Sequence, residues 1–254
     1  MRMEAKSTFI GINIISNAPQ FCMAAIDDNA KLIALSSGNL GDTLAYISGV
    51  KNAIVGINSP SNTNYGYVKK SKVIEDIKET NMKLSTYNMR ICEYELFVKG
   101  YTPGFTPSSI KKCPKWVRNG FRLYKRCQEL GYSISQIEIN KKSLVEVNTE
   151  TSFKKFANYQ LLDKITFEGR LQRQLILYEM GMDIPDPMCY FEELTRYRLL
   201  NGNLPLEDIY QIEELNAICA AFSVYLLLQR NSLAEWIGEP DEGQIMVPPG
   251  KIKW

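Results

Sequence analysis

Four polar side chains sit inside otherwise apolar runs, and these are the places to look for chemistry. Asn13 interrupts the run from Thr8 to Ile15. Asn58 ends the run from Ala53. Glu146 lies inside Leu144 to Asn148, and Asn216 stands near the start of the long apolar stretch from Glu213 to Gln229. A polar group in such a setting costs free energy unless it finds partners or faces a cleft. Four of them on separate elements point to a shared site at one edge of a sheet. The chain has no histidine, which excludes Ser-His-Asp and Cys-His catalysis and any histidine acid or base. Chemistry therefore falls to carboxylates, lysine, tyrosine, hydroxyls or a metal held by oxygen. Cys22, Cys92, Cys113, Cys127, Cys189 and Cys219 show no paired spacing, so reduced thiols are expected rather than a zinc site. There is no glycine-rich phosphate loop.

The elements that must carry these residues follow from pattern. Thr8 to Ile15, Phe21 to Ile26, Lys31 to Ser36, Ala53 to Asn58 and Leu144 to Asn148 read as strands, and Asp27 to Ala30 is turn chemistry that makes the second and third a hairpin. A helix over Leu40 to Ser48 crosses to the fourth strand. The order implies an α/β fold with a mixed five-stranded sheet flanked by helices. Residues 59–143 form a long insertion between strands four and five within one domain spanning 1–254. Helices are expected over Pro114 to Leu130, Thr149 to Tyr159, Phe167 to Met180, Met188 to Leu200 and Leu206 to Arg230, with a short edge strand in the tail from Glu242 to Pro249. Within the last helix Ala217, Ala220, Ala221 and Val224 recur at helical spacing, a narrow stripe of small residues that lets a helix axis come close to a sheet.

The densest basic segment is Lys111 to Arg126, with seven basic residues and no acidic one. Lys115, Arg118, Arg122, Lys125 and Arg126 share one helical face, preceded by Lys111 and Lys112. Such a stripe can follow phosphates, with Trp116 or Tyr124 stacking on a base; equally, it is a solvated face with its aromatics in the core.

The order of elements resembles the ribonuclease-H-like fold. More closely, the chain is similar to a "domain of unknown function" family of predicted nucleases with that fold. The matching pieces are Gly11 to Asn13, Val55 to Pro60, Arg90 to Leu96, Val145 to Val147, Glu214 to Ala221 and Glu242 to Ile245, in the family's order over nearly the whole chain. The resemblance implies acidic residues on the first strand, the fourth strand and a late helix, holding two divalent metals that activate water and stabilise the leaving oxygen of a phosphodiester. It also places Arg90 and Glu93 in the cleft. The chain departs from the pattern where the family has aspartate: Asn13, Asn58 and Asn216 are amides. An amide oxygen is a neutral dipole and cannot act as a base. Glu93 and Glu146 are the carboxylates left to hold a metal, with Glu95 or Glu150 as further candidates and Glu213 as a weaker one.

The resemblance thus implies a nucleic-acid-related protein with a degenerate, inactive metal site and no cofactor, its DNA or RNA held by the basic stripe. Two alternatives stay open: an active nuclease using magnesium or manganese on Glu93 and Glu146, and a scaffold or homo-oligomer. The three amides are natural or deliberately introduced. Lys and Arg total 30 against 28 Asp and Glu, a net charge of +2 with no global pull to nucleic acid or membrane. The first residues lack the apolar core of a signal peptide, and the longest apolar run fits a buried helix, so a soluble cytoplasmic protein without a membrane partner is expected.

Overall fold

Alternation of apolar side chains decides the sheet. The computed structural model describes residues 7–17, 20–70, 88–134, 142–157, 159–229 and 233–250. One mixed sheet holds β1 (Thr8–Ile14), β2 (Phe21–Ile26), β3 (Leu32–Gly38), β4 (Ala53–Asn58), β5 (Ser133–Ile134) and β6 (Lys142–Glu146), in the spatial order β3-β2-β1-β4-β6-β5. The first three strands are antiparallel neighbours; β4, β6 and β5 run parallel to β1. The β2–β3 hairpin turns at Asp27, whose Oδ1 accepts from the backbone N–H of Asn29 at 2.8 Å and of Lys31 at 3.0 Å, an aspartate turn of the expected kind. The expected five strands become six: β5, two exposed residues long, pairs at the outer edge of β6.

The helices are α1 (Leu40–Gly49), α2 (Tyr67–Lys70), α3 (Ile91–Val98), α4 (Lys115–Glu129), α5 (Thr149–Ala157), α6 (Phe167–Glu179), α7 (Cys189–Glu193), α8 (Arg196–Leu200) and α9 (Ile212–Gln229). Period-two alternation sends Phe9, Ile54 and Val145 into a core with α5, α6 and α9. It sends Ile10, Val55 and Leu144 into a second core with α1 and α4. The sheet is therefore covered on both faces, which is why its strands are nearly continuous in apolar residues.

The small-residue stripe does what its spacing suggests. Gly11 of β1 and Gly56 of β4 are register partners. A methyl group on Gly11 would lie 2.0 Å from the Ala217 carbonyl oxygen and 2.2 Å from the Ala221 nitrogen; one on Gly56 would lie 2.7 Å from the Ala220 oxygen. No side chain fits between helix and sheet there. By length and composition α9 could cross a bilayer; here Ala217, Ala220, Ala221 and Val224 are fully buried against the sheet.

Two helical expectations change in extent. The stretch from Met188 to Leu200 is two short helices, because Thr195 breaks the first and caps the second by accepting from Arg198 N. The last helix starts at Ile212 rather than Leu206, where Glu214 accepts from Gln211 N at 2.7 Å. Residue 158, near the expected end of the Thr149 helix, lies outside the described residues. The tail strand also forms differently. β8 (Ile245–Val247) pairs antiparallel with β7 (Glu235–Ile237) as a separate ribbon and touches the main sheet through a bridge from Met246 to Val147. Ile237, Ile245 and Val247 pack on Cys92 and Leu96 of α3. The ribbon therefore fixes α3, and α3 carries two of the candidate residues.

Candidate functional site

Asn13 lies one residue before the end of β1, Asn58 ends its parallel partner β4, Glu146 ends β6, and Asn216 is the fifth residue of α9. All four line one cleft of about 460 Å³, together with Arg90 and Glu93 from α3 and its cap. The structure thus brings together Asn13, Asn58, Glu146, Asn216, Arg90 and Glu93. It also divides them.

The three amides form one network. Asn58 Nδ2 donates to Asn13 Oδ1 at 2.8 Å. The backbone N–H of Thr149 donates to Asn58 Oδ1 at 3.2 Å, and the Thr149 hydroxyl donates to Asn216 Oδ1 at 3.2 Å. Asn216 therefore meets the other two through Thr149 rather than directly. Each amide oxygen, the atom that would coordinate a cation, is already an acceptor inside the protein.

The carboxylates form a second, charged network. On β6, Glu146 shares its register parity with Leu144, which packs in the α4-side core, whereas Asn13 and Asn58 share theirs with Gly11 and Gly56, against α9. Arg90 grips Glu146 with both terminal nitrogens, Nη1 at 2.9 Å from Oε2 and Nη2 on Oε1. Its Nε lies 3.0 Å from Glu93 Oε1. Backbone N–H groups complete the set: Ser61 N to Glu146 at 2.7 Å, and Arg90 N and Thr106 N to Glu93 at 3.1 and 2.9 Å. The Thr106 hydroxyl also donates to Glu93. Arg90, Glu93 and Glu146 are all buried. Burial works to lower the Arg90 pKa, but the charge of Glu146, with Cys92 and Glu93, outweighs it and holds the guanidinium well above its usual value. Such a bidentate pair repays its desolvation only when further hydrogen bonds satisfy the carboxylates, and here Glu93 accepts four and Glu146 three.

Pattern reading misses Glu242. It is fully buried, and its two oxygens accept from Tyr65 N and Ile91 N, each at 2.7 Å. The second bond places a carboxylate at the N-terminus of α3. The next residue, Gly243, has φ of +106°, and a methyl group there would meet Ser61 Oγ at 2.6 Å and Arg90 Nη1 at 2.9 Å. The resemblance had included Glu242 to Ile245 without assigning a role. Thr149 and Asn148 were missed as well: the first reads as an ordinary helix start, and the second caps α5 by accepting from Thr151 N at 2.9 Å.

Other candidates fall elsewhere. Glu95 is exposed and accepts from Gly238 N, and Glu150 pairs with Arg173, so neither joins Glu93 and Glu146. Glu213 lines the cleft. Tyr124 cannot stack on a base: it is buried, donates to the Ser59 carbonyl at 3.2 Å, and burial pushes its hydroxyl pKa well up. Lys111, Lys112, Lys115, Arg118, Arg122, Lys125 and Arg126 are exposed. Lys115, Arg118, Arg122 and Lys125 line one groove along α4, while Arg126 pairs with Glu129 at 2.6 Å. Trp116, half-buried, faces the amide cleft from the same helix.

Among the described residues, no three His, Cys, Asp or Glu side chains gather so as to hold a metal ion. The donor set does not fit the two-metal arrangement that the resemblance implies, since three of its positions offer neutral amide oxygens and its two carboxylates are paired with Arg90. No protein-family model, curated protein or solved structure matches this chain.

Proposed function

We propose that this chain is a nucleic-acid-binding protein of ribonuclease-H-like architecture whose cleft binds without cutting. The observation that carries the reading is the double occupancy of the cleft's oxygens: Thr149 and Asn58 engage the amides, and Arg90 engages Glu146 and Glu93. Two-metal hydrolysis needs carboxylate oxygens free to hold the cations. Arg90 instead supplies a permanent positive charge beside Glu146 and Glu93. The architecture is supported by the strand order, with an antiparallel β1-β2-β3 meander, parallel β4 and β6 beside β1, and a late helix on the sheet. Binding is supported by the exposed basic groove of α4, which suits a phosphate backbone.

The test is binding and cleavage of labelled single-stranded oligonucleotides, with magnesium or manganese and with chelator. Binding is expected in both conditions, and cleavage in neither. Reversing Lys115, Arg118, Arg122 and Lys125 to Glu should weaken binding and flatten its salt dependence by about 0.7 in log-log slope per lost phosphate contact. Metal-dependent cleavage would instead favour the nuclease reading. A scaffold reading is favoured by one observation: Phe191, Tyr197, Leu199 and Leu200 of α7 and α8 are 54–80% exposed, more than an isolated surface usually shows in one place. Light scattering that finds a stable oligomer, with no oligonucleotide binding, would select it.

A further inference from the structure

We infer that the amide half of the cleft receives one unstacked, carbonyl-bearing nucleobase, while α4 holds the phosphates of the same strand. This deepens the binding function proposed above and rests on it. The backbone N–H of Thr149 can only donate, so it fixes the oxygen of Asn58. The Asn58 nitrogen must then be the group that meets Asn13, which fixes the Asn13 oxygen in turn. Asn13 Nδ2 is left with no protein partner among the described residues, in the lining of the cleft. The N–H of Thr151 fixes Asn148 the same way and leaves its Nδ2 without a protein partner among the described residues. With amides where the resemblance implies acids, this end of the sheet presents donors rather than acceptors alone.

Donors call for acceptors, and the charge of the lining says which kind. Arg90 and Lys164 stand against Glu93, Glu146 and Glu213: two positive and three negative groups, a net charge of −1. A further anion gains nothing there, whereas a neutral ring carrying carbonyl oxygens pairs with the spare N–H groups. Phe105, 45% exposed, and half-buried Trp116 line the same cleft and give such a ring something to stack on. At about 460 Å³ the cleft is large enough for a nucleoside-sized group. Trp116 and the basic groove share α4, so base and backbone contacts come from one rigid helix.

The experiment compares base-bearing and abasic single strands of equal length by fluorescence anisotropy, using oligothymidylate and oligouridylate to separate DNA from RNA. The base-bearing strand is expected to bind about tenfold more tightly than the abasic one. Asn13→Leu and Phe105→Ala should each shrink that ratio, while charge reversal on α4 weakens both strands alike. The ratio is taken within each variant, so partial unfolding, which lowers both affinities together, leaves it unchanged; Phe105→Ala, at an exposed site, covers the case in which Asn13→Leu does not fold. Equal binding of the two strands, or a ratio that survives both substitutions, overturns the base site and leaves backbone binding by α4 intact. Failure of both strands to bind overturns both proposals.

Discussion

The two halves of the cleft handle polarity in opposite ways. Around Arg90, charges are buried, paired and bound to backbone N–H groups of three segments, at Ser61 and Tyr65, Arg90 and Ile91, and Thr106, with the Glu242 side chain holding the start of α3. Around Asn13, the groups are neutral, each oxygen has one partner, and spare N–H groups face open space. The charged half resembles a structural clamp, since its carboxylates are held by Arg90 and by backbone N–H groups. The neutral half keeps unused hydrogen-bonding capacity beside aromatic side chains. Retaining glutamates in a cleft is therefore no sign of catalytic competence; what matters is which oxygens are still free.

The difference can be broken most sharply at Arg90. Arg90→Ala leaves Glu146 and Glu93 buried without a counter-charge and should cost about 3–5 kcal/mol in urea unfolding. Next comes the packing that holds both halves to the sheet: Gly11→Ala drives a methyl group into the α9 backbone and should cost about 3 kcal/mol, the upper end for overpacking. In the neutral half, Asn58→Ala removes two hydrogen bonds but buries no charge, so about 1–2 kcal/mol is expected. A cost as large as that of Arg90→Ala would erase the distinction between the halves.

The smallest effect is a control outside the cleft. Hydrogen bonds from Lys155 and Lys99 hold the Glu235 carboxylate below its usual 4.5. A lowered folded pKa gives stability that is present above the unfolded value and is lost as pH falls through the folded one. Because Glu235 is 44% exposed, solvent screening keeps this below about 1 kcal/mol. Glu235→Gln should therefore remove a small stability loss in the range below pH 4.5, read by acid titration of the unfolding midpoint, and leave the neutral-pH ranking of the other variants unchanged.

Much of the sheet was legible because burial on both faces forces continuous apolar strands, and Asp27 to Ala30 can hardly be anything but a turn. The Ala217 to Val224 stripe was legible for a similar reason, since small residues at helical spacing have few other uses. Convergence of Asn13, Asn58, Glu146 and Asn216 on one cleft followed from the cost of burying each alone. Their division into two networks did not, because Glu146 and Asn13 differ only in strand parity relative to the covering helices. Arg90 and Glu146 are 56 positions apart, and no local pattern links them. β5, and the pairing of the expected tail strand with β7, were hidden for another reason: strands of two or three residues are made by their neighbours rather than by their own alternation. Tyr124 stayed open between a stacking surface and the core because an aromatic on a basic helix suits either, and its position opposite Ser59 decided for the core.

The central claim, that this cleft binds without cutting, is most directly tested by incubating the unaltered chain with an end-labelled single-stranded oligonucleotide at saturating protein, in magnesium, and resolving the products. The account predicts that the full-length strand persists and that chelator leaves the bound fraction unchanged. Magnesium-dependent shortening of the strand, abolished by Glu146→Gln, would contradict it.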